Sequence, residues 1–332
     1  MQADSLFRIY SMTKPIVTTA AMMLFEEGQF VLDEPLSKYL PAFKDAKVLI
    51  DGEMVPATHD FTIGELMSHT AGLTYGMFSD TQVDKLYRDA NVPENSTDLA
   101  EMVESLGPLP LLNQPGTQWV YSVSVDVLGA LIETISGQPL DQFLEQQLFK
   151  PLGMKDTFFE VPKSKIHRFG TNHVHNADGQ MTVMDRPESS AYTSKVTYFS
   201  GSAGLVSTAS DYLRYAQMML NGGELNVVRI ISSKTVDLMT ANHLKPGMKA
   251  LGTLGFGLGF GITLTQPLNG LGTKGEYGWG GAAGTGFWID PEEELTALLM
   301  VQMMQNRHRV YGKFRNLVYQ AITDQVQRDP GN

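Results

Sequence analysis

The sequence predicts a mixed α/β (α+β) protein. Three patterns carry that reading: helical spacing of apolar residues after Ser11 and again after Ser124, alternation of glycines with aromatic and aliphatic residues from Leu251 to Gly286, and a hairpin signature that follows it. Leu6 to Tyr10 read as a short strand that delivers the chain into a helix starting at Ser11. Its apolar face is Ile16, Val17, Ala20, Ala21 and Leu24, and Gly28 stops the run. Pro15 is compatible with that start, because first-turn N–H groups have no intrahelical partner to lose.

Residues 30 to 60 read as loop, with turn signals at Asp33-Glu34-Pro35, Pro41 and Asp51-Gly52. A short helix follows Thr62 and ends at Thr70-Ala71-Gly72. Residues 74 to 118 are polar with scattered helical segments, closing on the turn Asn113-Gln114-Pro115-Gly116. Ser124 to Ser136 has the spacing of a buried-face helix, with Gly137 as its stop. Residues 160 to 198 read as irregular, and Ser210 to Leu220 as a helix ended by Asn221-Gly222-Gly223. In the Gly-rich stretch the threaded apolar residues indicate strands and tight turns in place of a linker. Phe287 to Asp290, a turn at Pro291 to Glu293 and Leu295 to Met303 read as a hairpin whose second strand is buried. Gly312 to Gln327 reads as a terminal helix.

The 332 residues are 42% hydrophobic and 18% charged, which suits a globular chain with a sizeable core and excludes global disorder. Asp plus Glu number 36 against 25 Lys plus Arg, a formal charge of -11, so a phosphate-tracking surface and a nucleic-acid partner are disfavoured. The absence of cysteine excludes disulfides, thiolate metal sites and a thiol nucleophile. No apolar run approaches the roughly 18 to 20 residues of a membrane span. The first residues carry neither a basic segment nor an apolar run, so no signal peptide is read there and a cytoplasmic location is expected. Oligomeric state is unreadable.

Three local patterns offer chemistry. In Ser11-Met12-Thr13-Lys14, helical i, i+3 spacing sets the Lys14 amine over the face that carries the Ser11 hydroxyl, and the helix N-terminus adds partial positive charge. Tyr121-Ser122-Val123 follows a turn and precedes a helix. There a tyrosine serves as general base where an ammonium such as that of Lys14 favours its phenolate. Trp279-Gly280-Gly281 lies in a Gly-rich turn, where backbone can approach a substrate and lend an N–H to an oxyanion. Taken singly each pattern is weak: a capped helix, a packed tyrosine and a tight turn account for them equally well.

Their order and separation matter more. Together they resemble the three motifs of the serine β-lactamase and penicillin-recognising superfamily: S-x-x-K, Tyr-x-Asn or a variant, and Lys-Thr-Gly or a variant. The chain is most similar to the family VIII carboxylesterases, the esterase branch related to class C β-lactamases. Phe7 to Pro15, Leu66 to Leu73, Pro151 to Met154 with Thr157, Gly204 to Thr208 with Asp211, and Phe287 to Pro291 extend the likeness along almost the whole length. The resemblance implies an antiparallel sheet flanked by helices, formed by residues 1–60 and 200–332. It also implies a mostly helical part, 61–199, with the catalytic cleft between the two.

It further implies an acyl-enzyme mechanism on small-molecule carboxylic esters of short to medium chain, with no metal or organic cofactor. Ser11 would be the nucleophile, Tyr121 the base, Lys14 the charge that tunes both, and the Ser11 and Ala282 N–H groups the oxyanion hole. Trp279, Gly280, Gly281 and Val123 would contact substrate. Two departures stand out. Val123 replaces the asparagine of Tyr-x-Asn, and Trp279 replaces the lysine of Lys-Thr-Gly; both remove groups that hold a β-lactam and so favour neutral esters.

Other classes remain open: a β-lactamase or D-amino-acid peptidase, an acyltransferase, or a non-catalytic acyl-binding sensor. No G-x-S-x-G elbow or H-E-x-x-H is present. His69 reads as a residue that hydrogen-bonds a turn, His173 and His175 as members of a solvated loop, and Lys274 as a loop lysine. Tyr75, Met77, Phe78, Tyr87, Tyr192 and Tyr198 are candidates for an acyl or alcohol wall. Only ten residues precede Ser11, whereas relatives of this kind carry several tens, so the expectation is a catalytic unit without its first helix and strands and with an exposed sheet edge.

Overall fold

The computed structural model describes residues 1–92, 95–267, 270–305 and 310–323. In chain order these form β1 (Phe7–Arg8), α1 (Thr13–Glu26), the hairpin β2 (Lys47–Ile50) and β3 (Glu53–Pro56), and helices α2 (Ile63–Met67), α3 (Gln82–Ala90), α4 (Leu99–Leu106) and α5 (Ser124–Ser136). Helix α6 (Leu140–Leu144) runs through a π-type turn into α7 (Lys150–Leu152). There follow β4 (Asn172–His175), β5 (Met181–Asp185), β6 (Val206–Ser207), α8 (Ala209–Leu220), β7 (Glu224–Leu225), β8 (Val228–Arg229) and α9 (Ser233–Thr240). The chain closes with β9 (Gly255–Phe256), β10 (Gly261–Ile262), β11 (Tyr277–Gly280), β12 (Gly286–Asp290), β13 (Leu295–Leu299), β14 (Met303–Met304) and α10 (Val310–Gln320).

The main sheet is antiparallel, in the order β13-β12-β11-β10-β9. Successive side chains of a strand face opposite ways, and β12 uses both faces. Phe287 packs against Tyr212 of α8, while Trp288 packs against Tyr311, Phe314 and Tyr319 of α10. Helix α1 is buried along almost its whole length and packs on α5, so the turn that carries Ser11 leads directly into the core. One apolar core runs from α1 through α4, α5 and α8 to β12. No helix among the described residues is long and apolar enough to cross a membrane.

Local chemistry explains the boundaries. Thr62 and Glu65 form a reciprocal capping box at α2, and Gly137 ends α5 in a left-handed conformation. Helix α8 is capped by Thr208, whose side chain accepts the Asp211 N–H, so it starts one residue before the expected Ser210. A 3-10 turn, Tyr10–Met12, separates β1 from α1, so Ser11 lies on that turn.

Several expectations need correction. Residues 30 to 60 contain the β2–β3 hairpin, turning at Asp51 and Gly52, and residues 160 to 198 contain the β4–β5 hairpin. Each hairpin carries one largely exposed strand, β3 and β5, which has no buried face to imprint a period of two on the sequence. His173 and His175 accordingly lie on a half-buried strand and not in a solvated loop. In the C-terminal hairpin the fully buried strand is the first, β12, because β13 lies at the sheet edge. The terminal helix ends at Gln320, and residues 324–327 of the expected helix lie outside the described residues.

The strand before Ser11 is pinned by a buried cation. The Arg8 guanidinium donates to Asp185 Oδ2 (2.6 Å), the Gly170 carbonyl (2.6 Å), Ser190 Oγ (3.2 Å) and Gln302 Oε1 (3.2 Å), and it lies 3.9 Å from the Phe169 ring centre. Gln302 returns its own N–H to the Arg8 carbonyl. Removing one member of such a buried set leaves several polar groups unpaired. Arg8→Leu is expected to cost about 3 kcal/mol in urea unfolding, with a loss below about 1 kcal/mol contradicting this account.

Candidate active site

Ser11 is held from three sides. The Ile9 N–H donates to the Leu205 carbonyl (3.1 Å), the Leu205 N–H donates to Thr13 Oγ1 (3.2 Å), and the Tyr212 hydroxyl donates to the Met12 carbonyl (2.9 Å). Tyr10 has a φ of 45°, a left-handed conformation that bulky residues rarely adopt. That kink turns the chain from β1 into the 3-10 turn that carries Ser11.

Lys14 is buried one helical turn on, and its ammonium donates to Ser11 Oγ (3.3 Å) and to the Ser202 carbonyl (2.9 Å). It also lies 4.6 Å from the centre of the Tyr121 ring and 5.3 Å from that of Tyr75. Burial opposes its charge, but the Tyr75 and Tyr121 hydroxyls outweigh burial and raise its pKa above the usual lysine value. The direction of the shift favours the ammonium form of Lys14. Burial likewise pushes the Tyr75 hydroxyl up, against the pull of Lys14, so Tyr75 keeps its proton.

The Ser202 carbonyl is aimed by a second buried residue. Asp126, in the first turn of α5, accepts Ser200 Oγ–H (2.7 Å) and the Ser202 N–H (3.1 Å). Gly201 lies so close to α5 that a Cβ would sit 2.3 Å from the Val125 carbonyl oxygen. Neither Asp126 nor Ser202 belongs to any of the motifs read from the sequence.

Tyr121 is braced by His69. The His69 carbonyl accepts the Val120 N–H (2.9 Å), its Nδ1 lies 3.1 Å from Ser122 Oγ, and its ring centre is 5.1 Å from that of Tyr121. A left-handed φ of 58° lets one residue present both its carbonyl and its ring to the same short segment. Trp119 stacks on Tyr121 from another side. Trp279 donates its indole N–H to Tyr121 Oη at 3.1 Å. His69 does bond a turn, as the sequence suggested, but the turn is the one that carries Tyr121.

Gly281 shows why glycine is needed in the 279–282 segment. A Cβ there would fall 2.4 Å from the Ile9 carbonyl oxygen, so only glycine lets this backbone lie against the chain just before Ser11. The Ala282 N–H donates to no group among the described residues. Ser11, Tyr121, Trp279, Gly280, Gly281 and Ala282 line one cavity of about 1010 Å³ that continues along the sheet to α10.

Val123 does not line that cavity. It occupies the position before α5 and turns its side chain into the core, 1% exposed, contrary to the expected substrate contact. Of the candidate wall residues, Phe78 lines the cavity and Tyr75 packs on Phe78 and Tyr121. Tyr87 is core, and Tyr192 packs in a separate cluster with Phe169. Lys274 is an exposed loop residue. Among the described residues no group of His, Asp and Glu is placed to hold a metal ion.

The buried His69 imidazole is held neutral, first by burial and then by repulsion from Lys14. Its folded pKa lies below the unfolded value of about 6.5, so below that pH the unfolded chain binds the extra proton and stability falls. His69→Asn, which tolerates the left-handed backbone, removes this contribution. The stability gap between wild type and variant should narrow between pH 7 and 5, by up to about 1.4 kcal/mol per pH unit. Parallel pH curves for the two proteins would exclude a neutral buried His69.

Comparison with known proteins agrees with this geometry. The profile of the β-lactamase family matches residues 1–320. Protein Rv1367c of Mycobacterium tuberculosis is 33% identical over 319 residues, covering 91% of this chain and 78% of that protein. Esterase EstB of Burkholderia gladioli is 30% identical over 318 residues, covering 90% and 78% respectively. The solved structure of EstCE1, described as a hydrolase with promiscuous acyltransferase activity, superposes with a TM-score of 0.83 at 27% identity over 96% of this chain and 86% of that one. With a serine, a lysine and a tyrosine gathered in one cleft beside an antiparallel sheet, and with these likenesses along nearly its full length, the chain belongs to the β-lactamase family.

Proposed function

We propose that this protein is a serine esterase that cleaves neutral carboxylic esters of short to medium chain through an acyl-enzyme intermediate. The observation that carries the reading is the Lys14 ammonium, bonded to Ser11 Oγ and lying against the Tyr121 ring, whose hydroxyl takes the Trp279 N–H. Likeness to Esterase EstB and EstCE1 supports it.

Tyr121 reacts as the phenolate, with the Lys14 ammonium and the Trp279 N–H beside it; Ser11 Oγ attacks the ester carbonyl carbon, and its proton passes to the Tyr121 phenolate oxygen. Lys14 keeps its proton throughout and acts as fixed positive charge, which favours both alkoxide and phenolate character next to it. The tetrahedral oxyanion lies between the Ser11 and Ala282 N–H groups. On collapse the ester C–O bond breaks, Tyr121 returns the proton to the leaving alkoxide, and the acyl group stays on Ser11. Water, deprotonated by Tyr121, then releases the acid and restores the serine. We assign the cleft to the junction of residues 1–60 and 200–332 with residues 61–199.

Trp279 has two effects. Its neutral indole offers no cation to an anionic lactam, and its N–H stabilises negative charge on the Tyr121 oxygen. Neutral esters are the substrates that such a site accepts.

Turnover of p-nitrophenyl acetate and butyrate is expected, and Ser11→Ala should abolish it. Absence of turnover with both esters would sink the proposal, and faster turnover of nitrocefin would transfer it to lactams. Trp279→Phe keeps the ring but deletes the N–H. It should lower kcat about tenfold, the scale of one hydrogen bond to a charged group, with KM little changed; an unchanged kcat would remove Trp279 from the proton path.

A further inference from the structure

We propose that Phe78 and Leu251 form a subsite for the hydrocarbon chain of the ester, so that the enzyme selects substrates by apolar chain length. The inference rests on the ester reading above and specifies the substrate class. Both residues line the cavity that holds Ser11, yet Phe78 is 65% and Leu251 63% exposed. Large apolar side chains held this open beside a reactive serine find their burial partner in a ligand.

Leu251 is projected by its backbone. Ala250 and Leu254 exchange N–H···O=C bonds of 2.7 and 2.9 Å, closing a tight loop. Leu251 sits at its tip with a φ of 48°, followed by Gly252 at 79°. A leucine in the left-handed region, turned out into solvent, carries a double cost that no contact within the loop offsets. Beneath it Leu254 packs with Trp279 in a small apolar cluster.

The opposite bank is built in the same way. The Phe78 ring lies 5.6 Å from that of Tyr121 and 5.8 Å from that of Tyr75. Tyr121 and Trp279 are 5.4 Å apart. Phe78, Tyr121, Trp279, Leu254 and Leu251 all line the one cavity that holds Ser11 and so offer apolar surface along it. A methylene buried fully on such a surface improves kcat/KM about fourfold, and a half-buried one about twofold.

The chain belongs either to the acid or to the alcohol, and two series separate them: p-nitrophenyl acetate, butyrate, hexanoate and octanoate, and ethyl, butyl and hexyl acetate. In one series the wild type should gain about two- to fourfold in kcat/KM per methylene. Phe78→Ser and Leu251→Ser should each lower kcat/KM for the longest ester of that series about tenfold and flatten the slope. Val227→Ser, 93% exposed and outside the cavity, serves as control and should change neither. Both test residues are largely exposed, so the variants should fold, and unchanged thermal melts check this. Acetate turnover with a flat slope in both series, or a slope that survives both variants, would overturn the subsite while leaving the esterase standing. No turnover of any ester by the wild type would overturn the esterase reading itself.

Discussion

A single buried ammonium organises this active site. Lys14 has no room for water, so its charge must be satisfied by fixed groups, and the fold supplies a serine hydroxyl, a main-chain carbonyl and two aromatic rings. None of these is a carboxylate. A carboxylate in contact would neutralise the cation and cancel its field at Ser11, whereas a carbonyl dipole and ring quadrupoles leave the charge in place. The nearby Asp126 contributes through the 200–202 loop, aiming the Ser202 carbonyl without touching the amine. Asp126 thus supports the charge through an intervening carbonyl, and the ammonium stays bonded to Ser11 Oγ.

The same economy governs Tyr121. Its position is set by backbone as much as by packing. His69 reaches the residues on both sides of it, and Trp279 reaches its oxygen. An imidazole in this place would add a second positive charge beside Lys14 if it were protonated, and burial together with Lys14 keeps it neutral. His69 therefore acts on the tyrosine through shape and hydrogen bonds. Its left-handed backbone is the local strain that this double contact requires.

Much of this was legible in the sequence where one residue leaves a periodic or spaced mark. Helix α5 matches its apolar spacing and its glycine stop at both ends, and the i, i+3 separation of Ser11 and Lys14 foretold their contact. The hairpins β2–β3 and β4–β5 were invisible, because β3 and β5 have no buried face and such a strand writes no alternation. Asp126, Ser202 and the role of His69 were invisible for another reason: they act across chain separations of 50 residues or more, through hydrogen bonds that leave no local pattern. Val123 misled because motif position is read one residue at a time, whereas the direction of its side chain is set by the first turn of α5.

Trp279 shows how one substitution reshapes both chemistry and access. A lysine at this position would place a second cation near Lys14 and draw anionic substrates by attraction. The indole instead gives its N–H to Tyr121 and its faces to Phe256, Leu254 and the Gly261 backbone. Gly261 has no side chain because the Trp279 ring would lie 3.0 Å from its Cβ. The large ring and the missing side chain are two halves of one fit, made between neighbouring strands of the main sheet. Once that fit is made, the wall beside Ser11 and Tyr121 is aromatic ring and glycine backbone, while the Arg315–Glu276 ion pair lines the same cavity where it reaches α10, each charge held by the other.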